Sequence, residues 1–213
     1  MDNLRIRREE PGDYRAVEEL TRDAFWNLQV PGCNEHYLAH VLRMHPDFIP
    51  ELDLVAERDG RVVGNIMYTK AWLEDEAGNR KVVLTFGPLS VAPEAQRKGI
   101  GKQLMETSFR IAAELGYDTV VIFGHLGNYI SSGFKNCARY RISLEGIYPT
   151  AMLVRPLREN ALDGRAWSYR ESNAYEIDNQ AAEEFDRGFA PREKGWQPSQ
   201  EEFFIYSHST VKI

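Results

Sequence analysis

The amino-acid sequence predicts a mixed α/β fold, in which a central mixed sheet with two splayed parallel strands carries helices on both faces and a C-terminal extension. A strand, a long helix and a second strand follow one another over residues 82–123, which is the order of a βαβ unit. Residues 52–71 form two strand-like runs on either side of Asp59-Gly60, the pattern of an antiparallel hairpin. From residue 156 the periodicity weakens, and this sets the extension apart.

The composition limits the classes of function. Of the 213 residues, 43% are hydrophobic and 27% are charged, which is enough to bury a full core in one globular domain. The net charge of −6 gives no broad positive field, so neither nucleic acid nor a membrane is an expected partner. The N-terminus lacks the apolar core of a signal peptide, and no apolar stretch approaches the roughly 20 residues of a membrane span. We therefore expect a cytoplasmic protein.

The two cysteines, Cys33 and Cys137, lie far apart in the sequence and form no CxxC pair. This spacing argues against a disulfide framework and against a zinc site. We expect both to be small, buried or half-buried residues, and we expect no metal.

The N-terminal elements are a strand and two helices. Residues 4–7 alternate as a short strand that the sequence Pro11-Gly12-Asp13 ends. Apolar residues then recur at helical spacing, at Val17, Leu20, Ala24 and Phe25. A second helix is predicted over residues 36–44, and Pro46 stops it.

The central elements are more clearly marked. Asp59-Gly60 predicts a tight hairpin turn between strands 52–57 and 61–71, because this pair readily adopts a positive φ. A strand over 82–91, the most periodic helix of the chain over 99–115, and a strand over 119–123 then form the βαβ unit. Its two strands are expected to be parallel and joined by a right-handed crossover.

The remaining elements have weaker signals. A short helix is predicted near Asn128, ending before Phe134, and strands are predicted over 139–144 and 151–154. We divide the chain into a domain at residues 1–155 and a C-terminal extension at residues 156–213, packed on it. Within the extension, helices are predicted over 178–189 and 199–206.

The segment over residues 84–104 carries the most chemical information. Its loop over residues 96–101 opens directly into the long helix, and the first N–H groups of a helix have no internal acceptor. They also lie at the positive end of the helix dipole, so they favour phosphate oxygens. Gly99 and Gly101 let a diphosphate approach the backbone, and Arg97, Lys98 and Lys102 add positive charge at the rim.

The strand before this loop contains Gly87-Pro88, which predicts a bulge or kink in mid-strand. Such a kink would splay the strand from its parallel neighbour at residues 119–123. The exposed strand edge can hydrogen-bond the amides of a pantetheine arm. The loop matches neither GxxxxGK[ST] nor GxGxxG, and it offers no Ser or Thr for magnesium.

At these residues the chain resembles the GNAT superfamily of N-acetyltransferases, whose motif has the form V-x-P-x-x-[QR]-x-x-G-[IV]-[GA]-x-x-L. The residues that match it in register are Val91, Pro93, Gln96, Gly99, Ile100, Gly101 and Leu104. A second similarity lies at residues 129–134, and the order of elements extends the resemblance from residue 4 to about residue 154. A GNAT-type sheet, acetyl-CoA as cosubstrate and acetyl transfer to an amine are what this resemblance implies.

The resemblance also implies roles for individual residues. Tyr129, five residues before Phe134, would be the general acid beside the thioester sulfur. The residues that would bind the cofactor are Leu89, Ser90, Val91, Gln96, Arg97, Lys98, Gly99, Ile100, Gly101, Lys102 and Asn128. One position departs from the family pattern, because Ile122 stands where the family often has an asparagine seven residues before the tyrosine.

The implied reaction is direct attack of a substrate amine on the acetyl carbonyl within a ternary complex. A backbone N–H of residues 89–91 would hold the carbonyl oxygen. The base that removes the amine proton is open among Glu35, His36, His45, Glu51, Asp53 and His125. We name Glu51 or Glu35, because substrate pockets in this fold are walled by the first two helices and the strands after them.

The acceptor itself is left open between a small-molecule amine and a peptide amine, and the negative net charge mildly favours a cationic acceptor.

Other interpretations stand beside this one. The chain can be a non-catalytic acyl-CoA-binding or sensing module, or a nucleotide-phosphate enzyme that uses the same helix terminus. Tyr129 can be an aromatic residue of the core, and Cys33 is a less favoured nucleophile because no Cys-His-Asn set is evident. The aromatic residues of the extension favour packing, with cover of the acceptor pocket or a homodimer contact left open.

Overall fold

The computed structural model describes residues 4–212, and within them the chain forms one mixed sheet of nine strands together with six α-helices. The strands are β1 (Leu4–Arg8), β2 (Leu54–Arg58), β3 (Arg61–Asp75), β4 (Arg80–Val91), β5 (Thr119–Phe123), β6 (Lys135–Asn136), β7 (Ile142–Ser143), β8 (Met152–Pro156) and β9 (Trp167–Arg170). The helices are α1 (Tyr14–Phe25), α2 (Glu35–Leu42), α3 (Ile100–Glu114), α4 (Leu126–Tyr129), α5 (Asn179–Asp186) and α6 (Pro198–His208). The predicted mixed α/β fold is confirmed.

The strands are ordered β1-β2-β3-β4-β5-β8-β6, and β9 joins the sheet by pairing with β3 and β7. Strands β4 and β5 are parallel and connected by α3, as the βαβ pattern predicted. The pairings of β1 to β4, of β5 with β8 and of β6 with β8 are antiparallel.

Helices cover both faces of the sheet. Ile66 and Tyr68 of β3 lie in one buried cluster with Leu104 of α3, whereas Met67 between them packs with Leu38 of α2. Since neighbouring strand residues point to opposite faces, α3 and α2 lie on opposite sides of the sheet. A further buried cluster, with Val121 and Tyr169 among its members, contains residues of β3, β4, β5, β8 and β9.

Strands β4 and β5 separate soon after they meet. Leu84 and Val120 form the one pair in their parallel register among the described residues. On the other side of β4, the register with β3 shifts, so that Met67 alone faces Gly87 and Pro88. The predicted bulge is therefore present, and the Gly87–Pro88 peptide is cis. The bulge leaves a gap between β4 and β5.

Helix α3 begins where the sequence places it. Gly99 precedes the helix in the left-handed region, at φ 81°, and Arg97 also has a positive φ of 59°. Glycine adopts such a φ without the steric cost that a side chain adds. The helix ends at Glu114, and Gly116, with φ 91°, closes it.

The predicted strand over residues 139–144 is confirmed only in its second half. Residues Cys137–Tyr140 form a 3₁₀ turn, and only Ile142–Ser143 is a strand. The Asn136 side chain accepts a hydrogen bond from the Ala138 N–H and so starts the turn, and Arg141 ends it at φ 56°. Local capping overrides the apolar alternation here.

The extension is joined to the rest of the chain by backbone and side-chain contacts. Strand β8 crosses residue 155, and Trp167 to Arg170 of β9 pair with residues 72–75 of β3. Helix α5 is tied to α1 by Arg22, which donates two hydrogen bonds to Asp186. The division at residue 155 stays a prediction. Within residues 4–212 no helix is long and apolar enough to cross a membrane.

Candidate active site

The gap between β4 and β5 has an aromatic wall on each face. On the α3 face lie the rings of Phe86, Tyr129 and Phe134, with Tyr129 5.8 Å from each of the other two ring centroids. On the opposite face lie Tyr169 and Tyr175, which come from the extension. Two groups that enter from opposite faces can therefore meet at the gap.

The N-terminus of α3 presents donors without acceptors. Within residues 4–212, no hydrogen bond uses the backbone N–H groups of residues 97–102. A Cβ added at Gly99 would have no atom within 4 Å, so the space above it is open. At Gly101 the nearest atoms are Val91 Cγ2 at 3.7 Å and Leu89 Cδ2 at 4.0 Å. This open row of N–H groups fits the oxygens of a diphosphate.

The side chains of the predicted cofactor-binding residues differ in burial and in the direction they face. Leu89 and Val91 are half-buried under α3, while Ile100 is buried and has only its backbone N–H to offer. Ser90 is fully buried, and its Oγ donates to Thr21 Oγ1 at 3.0 Å, so its side chain faces α1. Ser90 can therefore contact a ligand in the gap only through its backbone.

The polar residues around the loop are exposed. Gln96 Nε2 donates to the Val91 carbonyl at 3.1 Å, and Lys98 Nζ donates to the Glu94 carbonyl at 2.9 Å. Lys102 lies 3.7 Å from Glu106 one turn along the helix. Arg97 and Asn128 are exposed, Arg97 in the loop and Asn128 in α4. The loop thus has exposed positive charge at its rim and backbone N–H groups at its centre.

Tyr129 lies at the end of α4 with its ring between Phe86 and Phe134. No hydrogen bond of its hydroxyl is found within the described chain. Burial raises the pKa of Tyr129 to about 12, and the nearby Tyr206 adds to the rise. The phenol is therefore protonated at neutral pH and has a proton to give. The ring also rests on Gly124, where a Cβ would overlap it.

The two residues named as the base lie in different places. Glu51 is exposed and lies near Tyr117, just past the end of α3 and far along the helix from Gly99. Glu35 begins α2 and is half-buried, and its Oε2 accepts a hydrogen bond from the Asn34 N–H at 3.0 Å. Burial raises the pKa of Glu35. No contact in the described chain joins either carboxylate to Tyr129.

The other titratable candidates are held in local contacts. Asp53 is buried and accepts a hydrogen bond from Asn65 at 3.1 Å. Burial and the nearby Glu9 raise the pKa of Asp53 to about 9. His45 contacts Asn173 at 3.0 Å, and the His125 Nδ1 accepts from the Gly127 N–H. These residues serve the turns around them.

Cys33 has neighbours that the sequence did not indicate. Its Sγ lies 3.5 Å from Nδ1 of His36, and Nε2 of His36 lies 3.0 Å from Asp186. The order of these three side chains resembles a nucleophile, a base and an orienting acid. However, Cys33 is 7% exposed, and burial raises the pKa of its thiol to about 12. The thiol is therefore neither ionised nor accessible, and we do not assign it a catalytic role. The contact of His36 with Asp186 instead joins α2 to α5.

The extension adds a polar group that sequence reasoning missed. The Tyr175 hydroxyl donates to the Gly87 carbonyl and accepts from Thr69, both at 3.4 Å. The Tyr169 ring lies 5.9 Å from Phe123 at the end of β5. Glu171, between these tyrosines in sequence, has its pKa raised to about 7 by burial. The only sequence signal for this group was the aromatic content of the extension.

The chain is similar to known proteins over much of its length. The model of a family described as the acetyltransferase (GNAT) family matches residues 17–134. The uncharacterized N-acetyltransferase YjhQ of Escherichia coli (strain K12) is 35% identical over 89 residues, or 42% of this chain and 49% of that protein. The matched segment thus spans about half the length of this curated relative.

Two solved structures share the fold. The Escherichia coli GNAT family N-acetyltransferase YhbS, in complex with CoA, has a TM-score of 0.72 at 25% identity over 83% of this chain and 94% of that chain. A GNAT family acetyltransferase from Brucella melitensis, in complex with acetyl-CoA, has a TM-score of 0.66 at 24% identity over 82% of this chain and 99% of that chain.

Proposed function

The chain belongs to the acetyltransferase (GNAT) family, and we propose that it moves an acetyl group from acetyl-CoA to an amine acceptor by direct attack in a ternary complex. Family membership supports acyltransferase activity in general. The acetyl group, the amine acceptor and the absence of a covalent acyl-enzyme are the proposed part.

One observation carries the proposal: the splayed strand β4 leads into a helix terminus whose N–H groups at residues 97–102 have no acceptor in the described chain. The terminus fits a diphosphate, and the gap beside β4 fits a pantetheine arm that reaches toward Tyr129. The Escherichia coli relative YhbS was solved with CoA, which supports the same ligand here.

The proposed roles follow from where the side chains lie. Acetyl-CoA supplies the acetyl group as an activated thioester. Backbone N–H groups of Leu89 to Val91, next to the bulge, would hold the carbonyl oxygen as charge develops on it. Tyr129 would give its proton to the leaving sulfur, because burial keeps the phenol protonated.

Glu35 and Glu51 stay the sequence-based proposals for the base. Glu35 is the better placed of the two, since it is half-buried at the start of α2, on the face of the sheet opposite α3. A cytoplasmic location likewise stays a prediction from the sequence.

The test is release of free thiol from acetyl-CoA with a panel of primary amines: benzylamine, putrescine, spermidine and a short peptide with a free N-terminus. Mass spectrometry of the product identifies the acetylated atom. In Tyr129→Phe we expect kcat to fall by about 100-fold or more, with the Kd for CoA nearly unchanged. Tyr117→Phe is the matched control, because this tyrosine lies past the far end of α3.

Other outcomes would identify a different function. Binding of acetyl-CoA without thiol release from any amine would instead support the non-catalytic sensing module. Tighter binding of ATP or NAD than of CoA in calorimetry would support the nucleotide-phosphate enzyme.

A further inference from the structure

The C-terminal extension places one carboxylate on the face of the β4–β5 gap that lies opposite Tyr129. Strand β9 pairs with β3 up to Trp72 and Arg170, and Glu171 is the next residue. Tyr169 points into the buried cluster beside Val121, with its ring 5.9 Å from Phe123. Alternate residues of an extended strand point to the same face of the sheet. Glu171 comes two residues after Tyr169, so its side chain is directed toward the same face as Tyr169.

Tyr175, four residues after Glu171, contacts the bulge in β4. Its hydroxyl lies 3.4 Å from the Gly87 carbonyl at the bulge and 3.4 Å from Thr69 Oγ1. Glu171 comes two residues after Tyr169 and four before Tyr175, and its carboxylate adds to the rise in the pKa of both hydroxyls. The carboxylate and the two tyrosines therefore form one polar group beside the bulge.

The turn that carries Glu171 is held firmly. The buried Ser172 donates from Oγ to Asp47 at 2.7 Å and accepts from the Ala174 N–H at 3.2 Å. Asn173 contacts Nε2 of His45 at 3.0 Å. These contacts join the turn to the residues between α2 and β2, so Glu171 is presented by an ordered backbone.

The Glu171 side chain is accessible to solvent. The protein around its carboxylate nevertheless excludes enough water to raise its pKa to about 7. The Tyr169 hydroxyl offsets part of this rise. The titratable groups that face Glu171 are Tyr169 and Tyr175, and no lysine or arginine of residues 4–212 contributes to its pKa. An accessible carboxylate that titrates near neutral pH can both attract a cation and take up its proton.

We propose that Glu171 binds the ammonium group of a primary-amine acceptor between Tyr169 and Tyr175 and removes its proton. This inference rests on the proposed acetyl transfer. The carboxylate suits a cationic amine, and the Tyr169 hydroxyl is buried without a hydrogen-bond partner among residues 4–212. The acceptor thus enters from the extension side, while acetyl-CoA enters from the α3 side.

The proton balance of the step is complete with the residues present. Glu171 takes one proton from the ammonium group, which frees the nitrogen lone pair. A C–N bond forms at the acetyl carbonyl as the C–S bond breaks, and Tyr129 gives its proton to sulfur. The second proton lost from nitrogen restores the Tyr129 phenol through solvent, and Glu171 releases its proton to solvent.

Glu171 fits this role better than the residues named from the sequence. The Glu35 carboxylate already accepts the Asn34 N–H, and Glu51 lies near Tyr117 beyond the end of α3. Among residues 4–212, neither has a contact that connects it with the bulge at Gly87, whereas Tyr175, four residues after Glu171, donates to the Gly87 carbonyl.

The experiment measures kcat/KM against pH for Glu171→Gln, with the amine of the panel that the wild type acetylates fastest. The matched control is Glu176→Gln, an exposed carboxylate five residues along the same segment. We expect Glu171→Gln to lower kcat/KM for the amine by about 100-fold or more, with the Kd for CoA unchanged. The rise in rate near pH 7 should disappear in this variant, and Glu171→Asp should restore part of it.

The outcomes are separable. If Glu171→Gln keeps the wild-type pH profile, or Glu35→Gln loses it instead, the role of Glu171 is overturned while acetyl transfer stands. If the wild type binds CoA but releases thiol with no amine, the proposed function fails, and the role of Glu171 fails with it.

Discussion

Gly124 lies so close to the ring of Tyr129 that a Cβ at position 124 would overlap Cε2 of the tyrosine. The absence of a side chain at the end of β5 therefore allows Tyr129 to occupy its place beside Phe86. Gly124 does not have a left-handed φ, so steric space is the reason for glycine at this position.

Gly124→Ala should displace the Tyr129 ring and lower kcat by about tenfold or more, because small shifts of a catalytic group are costly. The Kd for CoA should change little, since the N-terminus of α3 is untouched. Steady-state kinetics and calorimetry test both expectations. Gly12→Ala is the control, because nothing lies within 4 Å of its added Cβ. Equal kcat in the two variants would contradict the assigned position of Tyr129.

Gly101→Val should weaken CoA binding without unfolding the protein. A Cβ at Gly101 meets Val91 and Leu89 at ordinary contact distances, so the core accepts it, but the added methyl groups would crowd the open N–H groups. We expect the Kd for CoA to rise by at least about tenfold, or about 1.4 kcal/mol. Calorimetry measures this change, and thermal unfolding checks the fold. Unchanged affinity would exclude this helix terminus as the diphosphate site.

Asp186→Asn should destabilise the protein by about 3 kcal/mol, because it leaves a buried guanidinium without its anion. Arg22 is 2% exposed and bonds both oxygens of Asp186, at 2.6 and 3.1 Å. Urea unfolding measures the loss. Glu183→Gln in the same helix is the control, since its ion pair with Lys194 is largely exposed and should contribute less than about 1 kcal/mol. A similar loss in both variants would count against the buried pair.

The stability of the wild type should fall between pH 5 and pH 8 relative to Asp53→Asn. Burial, with Glu9 nearby, raises the pKa of Asp53 from 3.8 to about 9, so the folded protein holds a proton that the unfolded chain releases. The stabilisation is complete below about pH 4 and is lost as the pH rises toward 9. Asparagine cannot ionise and escapes this loss.

Urea unfolding of both proteins at pH 5, 6.5 and 8 tests this linkage. The difference in unfolding free energy should change by up to about 1.4 kcal/mol per pH unit for one proton. Parallel stability curves would show that Asp53 is ionised in the folded protein.

Local signals in the sequence were sufficient for the centre of the fold. Gly99 and the periodic residues after it fix the start of α3, and Gly87-Pro88 marks the bulge, because both depend on neighbouring residues. The ring of Tyr129 lies beside the gap for the same reason, since a short turn follows β5 directly. These features depend on few long-range contacts.

The surroundings of Glu171 could not be predicted in the same way. Strand β9 pairs with β3 across nearly 100 residues of sequence, and no local pattern indicates which edge it joins. Glu171 is an ordinary exposed glutamate in the sequence, and its surroundings appear only when Tyr169 and Tyr175 fold around it. The pair of Arg22 with Asp186 likewise joins distant segments.

The pairing of β9 with β3 has a consequence for protein engineering and for the divergence of related enzymes. A tail exchanged between relatives would bring a sheet strand together with the proposed acceptor-binding Glu171, because Trp167 to Arg170 and Glu171 are contiguous. Chimeras joined after Tyr175 would keep the host strand and the host Glu171 and would change only the segment that carries α5 and α6. If Glu171 binds the acceptor as proposed, acceptor preference and sheet integrity are inherited as one unit in this chain.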